Sequence, residues 1–279
     1  MKSVLITGCT DEGIGSAMAI TFAQRGLLVF AAARKLFKMT KLANLPNVRL
    51  LELDVTNPTQ IHSAVELVGK ETGSTLDYLV NNAGQTRYLP LLDEDPELSE
   101  AKAVFDTNVW GQLRMVHAFV PLLTEAKGSL VYISSGSGYM NIPWNGTYAA
   151  SKRATEIMFD TLRMELKPFG ITVTSVVTGP VKSQIHSHMA DLKLPAKSLY
   201  ADVEETIVRR AGGDDGSPRM DTMKYAETVV GKILGGGQIK IWCGANMWLI
   251  NIMANWIPSG IMDRLLVLGT GIDVMLKRR

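Results

Sequence analysis

Residues 7–15 read TGCTDEGIG, and this glycine-rich stretch decides the fold. The apolar run SVLI at 3–6 precedes it, and a pattern of helical spacing follows it. A strand, a tight glycine turn and a helix in this order are typical of the first unit of a parallel α/β sheet. Such a turn lets the backbone approach a pyrophosphate, whose charge the N–H groups at the start of the helix would meet. An ordinary glycine-rich turn is the alternative for this stretch taken alone.

The alternation of strands and helices continues along the chain. Short apolar or β-branched runs predict strands at 4–7, 28–32, 48–53, 78–80, 130–134 and 172–177. Patterns of helical spacing predict helices at 14–25, 58–71, 101–123, 147–167 and 221–234. The alternation predicts right-handed βαβ units and therefore a Rossmann-type, doubly wound parallel sheet with helices on both faces. Such a sheet binds ligands at the carboxyl ends of its strands, so the functional residues should follow strands.

The composition indicates one globular domain and excludes several classes of protein. The 279 residues include 29 Lys+Arg and 27 Asp+Glu, a formal net charge of +2, which is too balanced for binding nucleic acid by bulk electrostatics. With 46% hydrophobic residues and no linker-like stretch, we expect a single domain over 1–279. Cys9 and Cys243 are the two cysteines, too few for a disulfide-rich scaffold or a cysteine-based zinc cluster. A reducing compartment, the cytoplasm, fits best.

The end of the second predicted strand favours NADP over NAD. Proteins selective for NAD usually place an acidic residue there to bind the adenosine ribose, whereas this chain has Arg34 and Lys35. These cations could hold the 2′-phosphate of NADP through charge-assisted hydrogen bonds. Asp11 and Glu12 in the glycine turn count against this preference, because acids near that phosphate would repel it.

Five separated features carry a resemblance to a known family. They are the glycine turn at 7–15, the segment NNAG at 81–84, Asn108, Ser135, and the segment YAASK at 148–152 that contains Tyr148 and Lys152. Together they resemble the classical short-chain dehydrogenase/reductase family over about residues 3–183. The resemblance implies a sheet of seven parallel strands and catalysis by Asn108, Ser135, Tyr148 and Lys152.

The pairing of Tyr148 with Lys152 has a physical reason of its own. Positions four apart share one face of a helix, so both side chains should project towards the same cleft. A nearby ammonium should lower the pKa of the phenol, which then acts as the general acid when a carbonyl is reduced. Ser135 would polarise the same carbonyl oxygen. By resemblance, Lys152 also binds the nicotinamide ribose, and Asn108 holds a water that links Lys152 to solvent.

The remaining cofactor contacts are likewise implied by the resemblance. They fall, together with Arg34, Lys35, Tyr148 and Lys152, on Gly8, Thr10, Gly13, Ile14, Gly15, Asp54, Val55, Asn82, Ala83, Gly84, Gly179, Val181 and Ser183. No metal is expected, since His186 and His188 lie two positions apart and lack a third ligand.

Three departures from the common family pattern narrow the resemblance. Four residues instead of three separate Gly8 from Gly13, the segment 178–181 reads TGPV, and a Trp-rich extension follows residues 238–242. The chain looks like the branch that contains 1-acyldihydroxyacetone-phosphate reductase and many fungal secondary-metabolism reductases. These motifs do not separate lipid metabolism from secondary metabolism.

The sequence thus predicts an NADPH-dependent carbonyl reductase that transfers hydride to an apolar or amphipathic ketone. One alternative is an NAD(P)-dependent secondary-alcohol dehydrogenase in natural-product biosynthesis. Another is a cofactor-binding scaffold without turnover. The expected partners are a small-molecule ketone or alcohol and, by resemblance, further copies of the chain in a dimer or tetramer.

Two segments should determine the substrate. We expect a lid at about 184–220, and Tyr139 and residues 142–144 should wall an apolar pocket. The apolar extension at about 243–279 packs against the pocket or a partner subunit in the interpretation we favour. Peripheral contact with an internal membrane or lipid droplet is a second interpretation. A transmembrane span is disfavoured by Pro258 and three asparagines.

Overall fold

Seven parallel strands form one sheet in the computed structural model, which describes residues 1–189 and 191–278. The strands are β1 (Ser3–Thr7), β2 (Leu28–Ala33), β3 (Val48–Glu52), β4 (Tyr78–Asn81), β5 (Ser129–Ser135), β6 (Thr172–Thr178) and β7 (Lys240–Cys243). Their order is β3-β2-β1-β4-β5-β6-β7. Successive strands are added on one side of β1 up to β3 and on its other side from β4 onwards, so the order switches between β1 and β4. The predicted doubly wound sheet is confirmed. A crevice for a ligand opens where the order reverses, at the carboxyl ends of these two strands.

Helices cover both faces of the sheet. They are α1 (Ile14–Gln24), α2 (Pro58–Thr72), α3 (Ser99–Phe105), α4 (Gln112–Ala126), α5 (Gly146–Glu165), α6 (Glu204–Ala211), α7 (Thr222–Gly235), α8 (Met247–Trp256), α9 (Ser259–Leu266) and α10 (Ile272–Lys277). Local signals set several boundaries. The Asn57 side chain caps α2 by accepting from the N–H groups of Thr59 and Gln60, and Asp221 caps α7 in the same way.

Two apolar layers hold the helices to the sheet. Phe22 of α1 and Val229 of α7 are fully buried on one face. Phe119 of α4 and Phe159 of α5 are buried on the other. Each such side chain contributes about 1.5–3 kcal/mol by leaving water. Packing on both faces holds the strands in place, and with them the residues at the strand ends.

The prediction of one continuous α-helix over 101–123 is wrong. Helix α3 passes into a π-helical turn, Asp106–Gly111, before α4 begins. The Thr155 hydroxyl of α5 donates to the Asn108 carbonyl oxygen at 2.8 Å, a bond that an uninterrupted α-helix would not need. Such turns concentrate at functional positions, and this one carries Asn108.

The C-terminal extension packs over the carboxyl ends of β5 and β6. Met247 of α8 is buried, and a Cβ at Gly179 would lie 2.2 Å from its sulfur. The Trp144 Nε1 donates to the Thr270 carbonyl at 2.9 Å and ties the segment before α10 to the loop before α5. The extension therefore packs against the domain beside the strand ends where the functional residues should lie.

The outer side of these helices stays exposed, with Trp256 82% accessible. In the parts of the chain that the structure describes, no helix combines the length and the apolar character that crossing a membrane requires. Contact of this face with a second copy or with a membrane surface stays a prediction.

Candidate active site

A cavity of about 410 Å³ lies at the carboxyl ends of β4, β5 and β6. Its lining includes Ser135, Tyr148 and Lys152. The predicted cofactor residues in this lining are Ile14, Asn82, Gly84, Gly179, Val181 and Ser183. Residues from distant parts of the sequence therefore meet in one space, as expected for the end of a parallel sheet.

Tyr148 and Lys152 lie one helical turn apart in α5 and are both buried. The Lys152 Nζ lies 5.9 Å from the centroid of the Tyr148 ring and donates to the Ile133 carbonyl at 3.0 Å. Burial lowers the pKa of Lys152 to about 8, although the negative charge of Glu156 raises it in part.

The pKa of Tyr148 is shifted opposite to the expected direction. Tyr148 is 8% exposed, and this burial raises its pKa, while a hydrogen bond with Ser135 lowers it in part. The expectation that Lys152 lowers the pKa of Tyr148 is therefore wrong for this structure. The cost of removing a phenolate from water outweighs the favourable hydrogen bond with Ser135, so the phenol of Tyr148 keeps its proton at neutral pH.

Asn108 connects the loop after β4 to helix α5 instead of contacting Lys152 directly. Its Nδ2 donates to the Gln85 carbonyl at 2.8 Å and to the Ser151 hydroxyl at 3.0 Å, and its Oδ1 accepts from the Gln85 N–H. A Cβ at Gly84 would lie 3.3 Å from the Asn108 Oδ1 and 3.5 Å from the Lys152 Nζ. The structure therefore places Asn108 beside Lys152 across the space that Gly84 leaves open.

Ser135 ends β5 and turns its hydroxyl towards Ser137. The two oxygens are 2.9 Å apart, and the Ser137 N–H also donates to the Ser135 Oγ at 3.2 Å. These contacts hold the Ser135 side chain on the cavity wall shared with Tyr148.

The glycine turn depends on close packing against the NNAG segment. Gly8 has a φ of +74°, and a Cβ at Gly15 would lie 2.4 Å from the Gly8 carbonyl oxygen. The Asn82 Nδ2 donates to the Thr7 carbonyl at 2.7 Å and holds the turn at the end of β1. Gly13 occupies the N-cap position of α1, and no side chain accepts a hydrogen bond from the first N–H groups of the helix. These N–H groups are therefore available to bind an anion.

A second cavity, of about 700 Å³, lies beside the glycine turn. Its lining includes the predicted Thr10, Arg34, Lys35 and Asp54, and also Lys38. Among the described residues, no carboxylate oxygen lies within 4 Å of the charged nitrogens of Arg34, Lys35 or Lys38. The Asp54 Oδ1 accepts from the Thr56 N–H at 2.9 Å.

The two acids that counted against NADP are occupied elsewhere. The Asp11 Oδ2 accepts from the Thr40 N–H at 2.8 Å and from the Thr40 hydroxyl at 2.7 Å. Glu12, which takes a φ of +61° in the longer turn, forms an ion pair with Lys41. Their charges are partly neutralised by the segment after β2, so their repulsion of a 2′-phosphate is reduced.

The residues present fit a dinucleotide. The glycine turn and the uncapped start of α1 offer N–H groups for a pyrophosphate, and the unpaired cations of the second cavity offer charge for a further phosphate. The predicted residues outside both linings are Gly8, Gly13, Gly15, Val55, Ala83 and Asn108. The glycines shape the turn, and Val55 is buried against Gly111.

Part of the predicted substrate wall is wrong. Ile142 lines the first cavity, but Tyr139, Pro143 and Trp144 do not. The Tyr139 hydroxyl donates to the Glu156 Oε1 at 2.7 Å, and Trp144 is buried under the loop that carries Thr270. The wall also includes Met140, which was not predicted, and three residues of the C-terminal extension, Ile250, Met253 and Leu266. The apolar composition of the extension was the one signal for the last three.

Glu156 is a buried carboxylate beneath the catalytic face of α5. It accepts from the Ser175 hydroxyl at 2.7 and 2.8 Å, and its Oε1 lies 2.8 Å from the Lys240 Nζ. Burial alone would raise the pKa of Glu156, but the bonds from Lys240, Ser175 and Tyr139 lower it below the ordinary value. No local sequence pattern pointed to this group, because Lys240 comes from β7.

The two histidines considered as metal ligands are described only in part. The His186 Nδ1 lies 3.1 Å from the Ala211 carbonyl oxygen, while the His188 side chain lies outside the described part of the chain. Among the described residues, no three His, Cys, Asp or Glu side chains come together as ligands for a metal ion.

Comparison with known proteins adds the decisive observation. Residues 2–192 match the family model described as short chain dehydrogenase. The chain belongs to the short-chain dehydrogenase family. It is therefore an oxidoreductase that uses NAD(P) and acts on a small molecule.

Individual relatives of this short-chain dehydrogenase agree with the assignment. A short-chain dehydrogenase of Penicillium ochrochloron is 48% identical over 279 residues, covering 98% of this chain and 99% of that protein. An NADPH-dependent 1-acyldihydroxyacetone phosphate reductase of Schizosaccharomyces pombe is 39% identical over 211 residues, covering 74% and 70%. A short chain dehydrogenase from Burkholderia cenocepacia, solved in complex with NADP, is 26% identical with a TM-score of 0.75 and covers 95% of this chain and 99% of that one.

Proposed function

We propose that this short-chain dehydrogenase reduces an apolar or amphipathic ketone with NADPH. The observation that supports it most is the meeting of Ser135, Tyr148 and Lys152 in one cavity whose further lining combines apolar and polar side chains. The relatives include fungal short-chain dehydrogenases and an NADPH-dependent reductase of a lipid ketone.

The residues would act on the carbonyl oxygen. NADPH, when bound, supplies the hydride. The Ser135 hydroxyl donates a hydrogen bond to the carbonyl oxygen, and the Tyr148 phenol gives that oxygen its proton. Lys152, whose ammonium is held at the Ile133 carbonyl, stabilises the phenolate left on Tyr148. The raised pKa of Tyr148 favours reduction over alcohol oxidation, because oxidation needs the phenolate at the start.

A segment between β6 and α7 is proposed to close over the substrate. Ile185 and His186 from the turn Gln184–Met189 line the cavity, as does Arg219 further along. The predicted lid 184–220 includes these residues, and its Ala190 lies outside the described residues.

The preference for NADPH should depend on the second cavity. Replacing Arg34 by Ala removes a cation with no carboxylate partner among the described residues. We expect the KM for NADPH to rise roughly ten-fold and the KM for NADH to stay nearly unchanged, since a charge-assisted bond to phosphate is lost. Initial rates with both cofactors measure this. Arg25→Ala, at an exposed position outside the cavity, serves as the control. An equal change for both cofactors would contradict the proposed role.

The pH dependence of reduction should follow Lys152. Its pKa of about 8 means that the ammonium loses its proton as the pH rises through 8, while Tyr148 stays protonated because its own pKa is raised. We expect kcat for ketone reduction to be constant below about pH 7 and to fall above pH 8. The measurement is NADPH consumption, followed by absorbance, from pH 6 to 10 with both substrates saturating. A kcat that stays flat to pH 10 would rule out this role for the ammonium.

A further inference from the structure

The cavity over Ser135 and Tyr148 has two chemically different walls. Its apolar wall includes Ile250 and Met253 from α8 and Leu266 from α9. A polar wall comes from the end of α6 and the loop that follows it, with Arg210, Asp215 and Arg219. A ligand that fills the cavity would therefore meet apolar surface at one part and charge at another.

Arg210 differs from the neighbouring arginines in having no carboxylate partner. The Arg209 Nη1 lies 3.7 Å from Asp214, and the Arg219 Nη2 lies 3.2 Å from Asp215. Among the residues at 1–189 and 191–278, Arg210 bonds to neutral oxygens alone. Its Nε donates to the Tyr88 hydroxyl at 2.9 Å, and its Nη1 donates to the Gly269 carbonyl at 3.4 Å.

These two contacts position the guanidinium of Arg210 and leave some of its N–H donors without a partner among the described residues. Tyr88 comes from the loop after β4 and Gly269 from the loop after α9, so two separate segments hold the group at the end of α6. Within the described residues, no acceptor faces the Arg210 Nη2 or the hydroxyl hydrogen of Tyr88. Tyr88 is buried and also lines the cavity. Both residues therefore offer hydrogen-bond donors to whatever the cavity binds.

The charges in the lining also favour an anionic ligand. Its described charged side chains are the cations Lys152, Arg210 and Arg219 and the carboxylate of Asp215. Asp215 pairs with Arg219, so the charge of Arg210 is not balanced by a carboxylate in direct contact. A guanidinium fork fits the two oxygens of a carboxylate or phosphate better than any neutral acceptor.

We propose that Arg210, assisted by Tyr88, binds an anionic group of the substrate, a carboxylate or a phosphate, while the apolar part of the substrate lies against α8 and α9. This inference rests on the proposed reduction of an amphipathic ketone in the same cavity. It adds the charge of the substrate and the residue that selects it.

Ligand binding tests the proposal without requiring turnover. Isothermal titration of the full chain, saturated with NADP⁺ so that the cofactor's own phosphate sites are filled, gives affinities for octanoate, octyl phosphate and octanamide. We expect at least one of the two anions to bind ten-fold or more tightly than octanamide. Arg210→Gln should remove that advantage and leave octanamide unchanged, and Arg210→Lys should keep part of it. The tighter anion identifies carboxylate or phosphate as the group recognised.

A neighbouring arginine supplies the matched control. Arg209→Gln removes an exposed cation from the same helix and should leave all three affinities unchanged. If Arg210→Gln does not fold, Tyr88→Phe removes one donor and should weaken the anions alone by about three-fold. The proposal is overturned if wild type binds the anions no better than octanamide, or if Arg209→Gln has the same effect as Arg210→Gln. Weaker binding of NADP⁺ itself in Arg210→Gln would also overturn it. Arg210-dependent anion binding without reduction of any ketone would contradict the proposed function and leave this inference standing.

Discussion

Tyr148→Phe should lose ketone reduction by roughly two to four orders of magnitude while it keeps its affinity for NADPH. The substitution preserves a ring that is 8% exposed and removes the hydroxyl that the mechanism needs as its acid. Packing around the ring is unchanged, so the fold should be retained. Stopped-flow loss of NADPH absorbance with saturating ketone measures the rate, and fluorescence titration measures cofactor binding.

The control for this variant is another Tyr→Phe exchange. Tyr200 packs edge-on against Trp144, with ring centroids 4.9 Å apart, and does not line the cavity. Tyr200→Phe should therefore turn over at the wild-type rate. If Tyr148→Phe remains as active as wild type, the proton comes from another group. If wild type and variant both bind NADPH and neither reduces any ketone in a panel of acyl-phosphate, steroid-like and polyketide ketones, the scaffold alternative gains support.

Lys240→Met should lower the free energy of unfolding by about 3 kcal/mol at pH 7, because it leaves the Glu156 carboxylate buried without its cation. The Glu156 side chain is 1% exposed, and the Lys240 Nζ is 2.8 Å from its Oε1. Denaturant unfolding followed by circular dichroism gives the value. Arg49→Met breaks a more exposed pair with Glu71 and should cost under about 1 kcal/mol. Equal losses in the two variants would contradict a special role for the buried pair.

The pH dependence and a double variant separate charge from packing. The pKa of Glu156 is lowered in the folded protein, so its ionisation stabilises the fold above the ordinary value of 4.5. That contribution is lost as the pH falls through the folded pKa, and the deficit of Lys240→Met should narrow there. Combining Lys240→Met with Glu156→Gln removes the stranded charge and should recover part of the stability.

The fold was predictable because its signals are local. The glycine turn at 7–15 and the spacing of apolar residues identify strands and helices one at a time, and six of the seven strands were located from them. The position of the seventh, β7, was not predicted, although the family resemblance implied seven strands, because a run of four residues is too short to stand out. The π-helical turn around Asn108 was missed because it depends on Thr155, a residue of another helix.

The site was predictable where a motif defines it and not where long-range packing defines it. Tyr148 and Lys152 share a helix face, so their meeting followed from spacing alone. The pKa of Tyr148 depends on how deeply the folded chain buries the phenol, which spacing does not reveal. Arg210 and Tyr88 lie far apart in sequence, and neither stands in a recognisable motif. Their contact exists because α6 folds back over the loop after β4.

A Cβ at Gly136 would lie 3.4 Å from the methyl carbon of Met247, as one at Gly179 would lie 2.2 Å from its sulfur, so Met247 joins two parts of the cavity that have different origins. The residues on the β5 and α5 side supply the proton chemistry, whereas α8 and α9 supply the apolar wall. Met247 packs at both glycines and so holds α8 against the side of the cavity formed by β5 and α5. We therefore expect substitutions in α8 and α9, Met247 excepted, to change the apolar wall more than the positions of Tyr148 and Lys152. Enzymes built in this way can diverge in substrate range during evolution while inheriting one reaction unchanged.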